Sequence, residues 1–260
     1  VSPGRWLRVL ARAVAWDLKL QWRQQVVTVA AVVTLLYVAL LAWAPRLPDP
    51  YLVLFLFSDP TVFGFLFVGV LVLFERGSHT LAAVAVTPLT TGQYIAAKAV
   101  SLTLLAVPSG VAMALAARGW GGMELWPLVA ALALTSVLFI LLGLVAVVRV
   151  RSVNEYLLLV PAAMTPLCLP VVGLLGLFDT PLFRLIPSQA SLLLFRRAFA
   201  PRPAWEAVYG VGFLLLSIAL SAWWAHRAFT AYVRGPGRPP ERSPGAVERR
   251  PVEERSMEEA

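Results

Sequence analysis

ERGSHTLAAVAVTPLTTGQYIAAK, residues 75–98, lies between two long apolar runs and carries almost no net charge. A plain connection between two membrane spans is shorter and more polar. Here a charged pair, Glu75-Arg76, opens the stretch. A middle with helical spacing follows, then a Thr87-Pro88 break. The residue before a proline is pushed away from helical angles, so a helix begun at Ser78 or Thr80 ends by Val86. Leu81, Val84 and Ala85 give that helix an apolar side. Thr90 with Gln93 matches a capping box that starts the next apolar segment. A short helix held between two spans suits docking against a soluble partner on the cytoplasmic side.

Outward from this stretch the chain reads as an all-α integral membrane protein. Its 260 residues are 59% hydrophobic and only 14% charged, against about 25% charged in an ordinary soluble domain. The apolar runs are about 20 residues long, enough to cross a hydrocarbon core of about 30 Å. No segment alternates as a β-barrel strand does. The positive excess is nearly all arginine and flanks the spans, which points to topology signals and anionic lipid and away from nucleic acid. The single cysteine, Cys168, forms no internal disulfide and no multi-thiolate metal site. The Arg, Ala, Pro and Val bias fits a GC-rich bacterial genome.

Three regions are expected. Residues 1–25 form an interfacial amphipathic helix, with Arg5, Arg8, Arg12, Lys19 and Arg23 on one arc and Trp6, Leu7, Leu10, Ala13, Val14 and Leu20 opposite. Asp17 intrudes on the apolar side, either to pair with a basic residue of another segment or to sit at the water edge. Residues 26–233 form a body of about six transmembrane helices, and 234–260 a disordered cytoplasmic tail. The spans fall near 26–44, 61–74, 95–117 (kinked at Pro108), 126–148, 156–178 and 207–229. Ser58-Asp59-Pro60 reads best as an N-cap with proline in the first turn, opening the second span; the competing reading makes Asp59 a buried pore carboxylate. Pro161, Pro166 and Pro170 predict a fifth span that is not straight. Before it, Ser152-Val153-Asn154-Glu155 matches a capping box, so Arg151, Asn154 and Glu155 mark a second tight cytoplasmic turn. Between 179 and 206 a short helix from Pro187 to Phe199 is expected to dip partway into the membrane. Placing both termini inside puts sixteen Lys and Arg on the inner side and six on the outer, the bias expected of a bacterial plasma-membrane protein. Trp43, Trp120, Trp126 and Trp205 then make an outer aromatic belt.

Sites for chemistry are scarce. His79 and His226 belong to no H-E-x-x-H pattern, and there is no G-x-S-x-G elbow. No metal-ligand cluster has workable spacing. A P-loop needs lysine followed by Ser or Thr, but Lys19 precedes Leu20 and Lys98 precedes Ala99. No cofactor is expected on this chain, and any ATP must be bound by another.

The pattern ER-x3-TL-x5-TPL-x4-Y-x3-K resembles the loop after the second span of type-2 ABC transporter permeases, with Glu75, Arg76, Thr80, Leu81, Thr87, Pro88, Leu89, Tyr94 and Lys98 in matching positions. His79 stands where that family often has glycine. VRSVNEYLL at 150–158 and PSQASLLLFRRAF at 187–199 are similar to the fluoroquinolone export permeases. The resemblance implies a drug-exporting permease subunit without its own enzymatic activity. It implies that residues 75–98 hold the coupling helix, and that ATP and Mg sit on a partner ABC ATPase. It also implies a second permease chain, identical or not, around a shared path for a lipophilic or amphipathic substrate. A membrane scaffold that docks a soluble partner without transport is the alternative, and an intramembrane enzyme a distant third.

Overall fold

The computed structural model describes residues 3–43, 47–78, 89–178 and 180–234, and within them every regular element is helical. Helix α1 (Pro3–Arg23) leads into α2 (Val26–Trp43) through a turn where Gln25 takes φ 63°. One continuous rod then comprises α3 (Asp49–Val62), a π-helical turn (Phe63–Phe67) and α4 (Val68–Gly77). Next come α5 (Thr91–Arg118), α6 (Leu125–Val147), α7 (Val153–Cys168) and the short α8 (Pro170–Leu174). A 3₁₀ turn (Pro181–Leu185), α9 (Pro187–Phe199) and α10 (Ala204–Arg234) complete the order.

Among the described residues five helices are long and apolar enough to span: Val26–Trp43, Asp49–Gly77, Thr91–Arg118, Leu125–Val147 and Ala204–Tyr232. The fifth predicted span is a shorter apolar helix, α7, broken at Leu169 ahead of Pro170. Its last predicted part, 175–178, is non-helical turn. Proline explains the break: it lacks an N–H and its ring clashes with the carbonyl four residues back. The tail beyond 234 and the segment 79–88 lie outside the described residues.

One boundary differs from expectation. The second span does not start at Thr61; it begins at Asp49, and Pro60 lies inside the helix. Asp59 is therefore no N-cap. It is 2% exposed, in the middle of a 29-residue rod. Pro60 removes one i→i−4 bond, yet neighbouring helices cover the backbone, which is how membrane helices tolerate proline. The turn just after it widens to π geometry over Phe63–Phe67, with the Phe63 N–H shared between the carbonyls of Asp59 and Pro60.

Helix α6 is the centre. It is apolar all round and buries Leu128, Leu132, Phe139, Ile140 and Leu144 completely against α3, the π turn, α5, α9 and α10. A helix with no polar face belongs in such a position. Gly143 lets the π turn approach it: a Cβ there would stand 2.7 Å from the Phe65 carbonyl oxygen and 3.2 Å from Phe65 Cα. Both are backbone atoms, so the helices themselves must part. Gly143→Ala is expected to destabilise the fold by about 1–3 kcal/mol, read as a lower melting temperature in detergent; an unchanged midpoint would contradict this packing.

By contrast α7 is peripheral. Tyr156 is its one fully buried residue, while Leu157 and Leu158 are exposed. At the end of the molecule away from residues 75–98, Trp43, Trp120, Trp126 and Trp205 are all exposed, as an aromatic belt requires. Arg118 there donates to Asp49 and to the Leu47 carbonyl (2.8 Å).

Candidate functional site

Charge gathers at the two feet of the undescribed 79–88 segment. One foot is the C-terminal turn of α4, which carries Glu75 and Arg76. The other is the start of α5, where Thr90 caps the helix reciprocally: its Oγ1 accepts from the Gln93 N–H (3.3 Å) and its own N–H donates to Gln93 Oε1 (3.0 Å). The capping box expected from sequence is thus present. Leu89 before it is half-buried and packs on the core.

On α5, Tyr94, Lys98 and Ser101 follow at spacings of four and three and so share one face. On α1, Asp17 and Gln21 are one turn apart and also share a face. The faces meet, with Glu75 between them. Lys98 is 1% exposed and its Nζ donates to both Asp17 Oδ1 and Glu75 Oε1. Tyr94 donates its hydroxyl to Glu75 Oε2 at 2.7 Å. Asp17 Oδ2 accepts from Ser101 and from Gln21 Nε2, the latter at 2.8 Å. Gln21 Nε2 also reaches Ser101 Oγ at 2.8 Å. All four carboxylate oxygens therefore accept a hydrogen bond, as burial of two carboxylates demands. Of the two readings of Asp17, pairing with a basic residue of another segment is the one realised.

Arg76 takes a separate set of partners. Its Nη1 donates to the Val150 carbonyl at 3.0 Å, and its guanidinium lies 4.4 Å from the Tyr232 ring. Adjacent residues of one helix end thus divide the work. Glu75 binds α5, and through Lys98 is linked to Asp17 of α1, while Arg76 binds the α6–α7 turn and the end of α10. The second turn keeps to itself: Arg151, Asn154 and Glu155 are exposed. Ser152 Oγ accepts from the Glu155 N–H at 3.2 Å, but Glu155 Oε2 accepts from the Arg151 N–H (2.8 Å). The cap is present with its return bond shifted by one residue.

Of the nine loop positions marked in the sequence, Glu75, Tyr94 and Lys98 are brought together and Arg76 stands beside them. Leu89 packs on the core, and Thr80, Leu81, Thr87 and Pro88 lie outside the described residues. Gln21 and Ser101 were not marked. The available signal was a polar residue repeating at helical spacing on an otherwise apolar face, Asp17 with Gln21 and Lys98 with Ser101. Among the described residues no group of three His, Cys, Asp or Glu could hold a metal ion. The arrangement ties three helices, α1, α4 and α5, together through buried charge.

Residues 8–235 match the family described as the fluoroquinolones export permease protein family. Two fluoroquinolones export permease proteins of Mycobacterium tuberculosis, from strains CDC 1551 / Oshkosh and ATCC 25618 / H37Rv, are each 33% identical over 234 residues. Each match covers 86% of this chain and 96% of the relative.

Proposed function

The chain belongs to the fluoroquinolones export permease family, and on that premise we propose that it is the membrane-spanning subunit of an ATP-driven exporter. It moves a lipophilic or amphipathic compound, of the fluoroquinolone type, outward. Two permease chains enclose the path, both termini face the cytoplasm, and ATP with Mg binds on a separate ATPase subunit. Residues 79–88 dock on that subunit.

The observation that carries this reading is the Asp17–Lys98–Glu75 cluster. Both feet of the docking segment are tied to each other and to α1 through buried charge. A push on the segment therefore moves α1, α4 and α5 as one unit, where a flexible connection would absorb it. The start of α5 also packs on α10 through the tilted rings of Tyr94 and Phe229, centroids 5.3 Å apart.

The test is export in a deletion strain complemented with variants. Glu75→Gln leaves Asp17 and Lys98 as a neutral pair, so insertion is expected to survive while fluoroquinolone export falls at least fivefold. Pro88→Ala is expected to act in the same direction. Full export by both variants would sink the coupling assignment. An ATPase rate in the assembled complex that ignores every amphiphile would favour a scaffold instead.

A further inference from the structure

The second span holds a carboxylate that the joint does not use. Asp59 is 2% exposed, its Oδ2 has no hydrogen-bond partner, and no basic residue pairs with it among the described residues. An ionisable group kept unpaired at membrane depth is costly and by default marks a ligand or ion path.

Asp59 lines a narrow cavity of about 20 Å³ between α2, the α3–π rod and α5. Phe63 and Phe67, one and two turns further along the rod, line the same cavity, with ring centroids 4.7 Å apart. From α5, Ser109 lines it too. That hydroxyl donates to the Leu105 carbonyl at 2.9 Å, which leaves its lone pairs open to an incoming donor. The remaining lining is aliphatic or glycine. The cavity thus presents acceptors and aromatic rings, and no side-chain N–H. An anion finds no donor there. A bare metal ion finds far too few oxygens. A protonated amine finds a counter-charge, an acceptor and two π-systems. The volume holds roughly one water-sized group, which suits the charged end of an amine with its apolar body directed elsewhere. The π turn that carries Phe63 and Phe67 belongs to a class of helix irregularity common at functional sites.

We propose that Asp59, with Ser109, Phe63 and Phe67, forms an intramembrane recognition site for the protonated amine of a lipophilic ligand. This rests on the export reading for why such a ligand enters the second span, but binding is measurable without transport.

The experiment uses the full chain in nanodiscs of neutral lipid and two amines, ciprofloxacin and propranolol, each beside its N-acetyl form, which has no basic nitrogen to protonate. At least one amine is expected to bind tenfold or more tightly than its acetyl form, and Asp59→Asn is expected to abolish that preference. Ser109→Ala and Phe67→Leu should each reduce it about threefold, which keeps the test open if Asp59→Asn does not fold. No preference for either amine, or a preference that survives in the variants, would overturn the site. An Asp59-dependent preference for propranolol alone would keep the site and count against a fluoroquinolone substrate. Unchanged drug susceptibility in a deletion strain would count against export and leave the binding result standing.

Discussion

Lys98→Met is expected to be the most damaging single substitution at the joint. The ammonium is the sole cation between two carboxylates, Asp17 and Glu75, that are 6% and 4% exposed. Methionine keeps most of the side-chain length and removes the charge. Two like charges are then buried facing each other, and breaking a buried ion pair from one side costs about 3–5 kcal/mol. The nine tryptophans make intrinsic fluorescence a convenient readout of melting in detergent. A melting temperature equal to that of the parent would refute the cluster. A companion variant separates charge from shape. In Asp17→Asn/Glu75→Gln/Lys98→Met no charge is left, and replacing a whole buried pair is often near neutral. Stability is expected to recover in large part. Export distinguishes two roles: if the cluster transmits motion, the triple variant stays below a fifth of parental export, whereas a purely stabilising cluster would let export return with the fold.

Tyr156→Ala carries the second large effect. The Tyr156 ring fills the space above Gly69, where a Cβ would meet its Cζ at 2.0 Å. It stacks near Phe65 at 6.0 Å and donates its hydroxyl to the Phe65 carbonyl at 2.5 Å. Truncating a buried aromatic costs about 3–5 kcal/mol. Because Tyr156 is the one fully buried residue of α7, the loss is expected to be local. Hydrogen exchange over 153–168 should accelerate more than a hundredfold, the equivalent of about 3 kcal/mol, with α6 unchanged. Tyr156→Phe keeps the ring and removes one hydrogen bond worth about 1 kcal/mol, so a roughly fivefold change is expected there. Equal exchange in all three proteins would show that α7 is held elsewhere.

What was legible in the sequence was local. Apolar runs of spanning length located the helices, and the Thr90–Gln93 cap was readable because both partners lie within one turn. The three prolines announced a broken fifth span. Asp59 was misplaced for a local reason too: Ser-Asp-Pro obeys the grammar of a helix start, and nothing nearby says that packing from α2, α5 and α6 will carry a helix through it. The joint itself was only half visible. Glu75, Tyr94 and Lys98 lie in one stretch, but the Asp17–Lys98 contact closes over 81 residues. A single sequence offers no means of choosing which basic residue meets an intruding carboxylate.

That separation sets a timetable for synthesis. Asp17 is made first, Glu75 later, and Lys98 a further 23 residues after Glu75. At about 5–20 residues per second, Asp17 waits on the order of 4–16 seconds before its counter-ion exists. For that interval α1 lacks the ion pair that seats Asp17 against α5, and a buried carboxylate without a partner is costly. Lys98 therefore completes the joint between α1, α4 and α5. A nascent chain arrested between Glu75 and Lys98 would carry two carboxylates without the cation that lets both be buried.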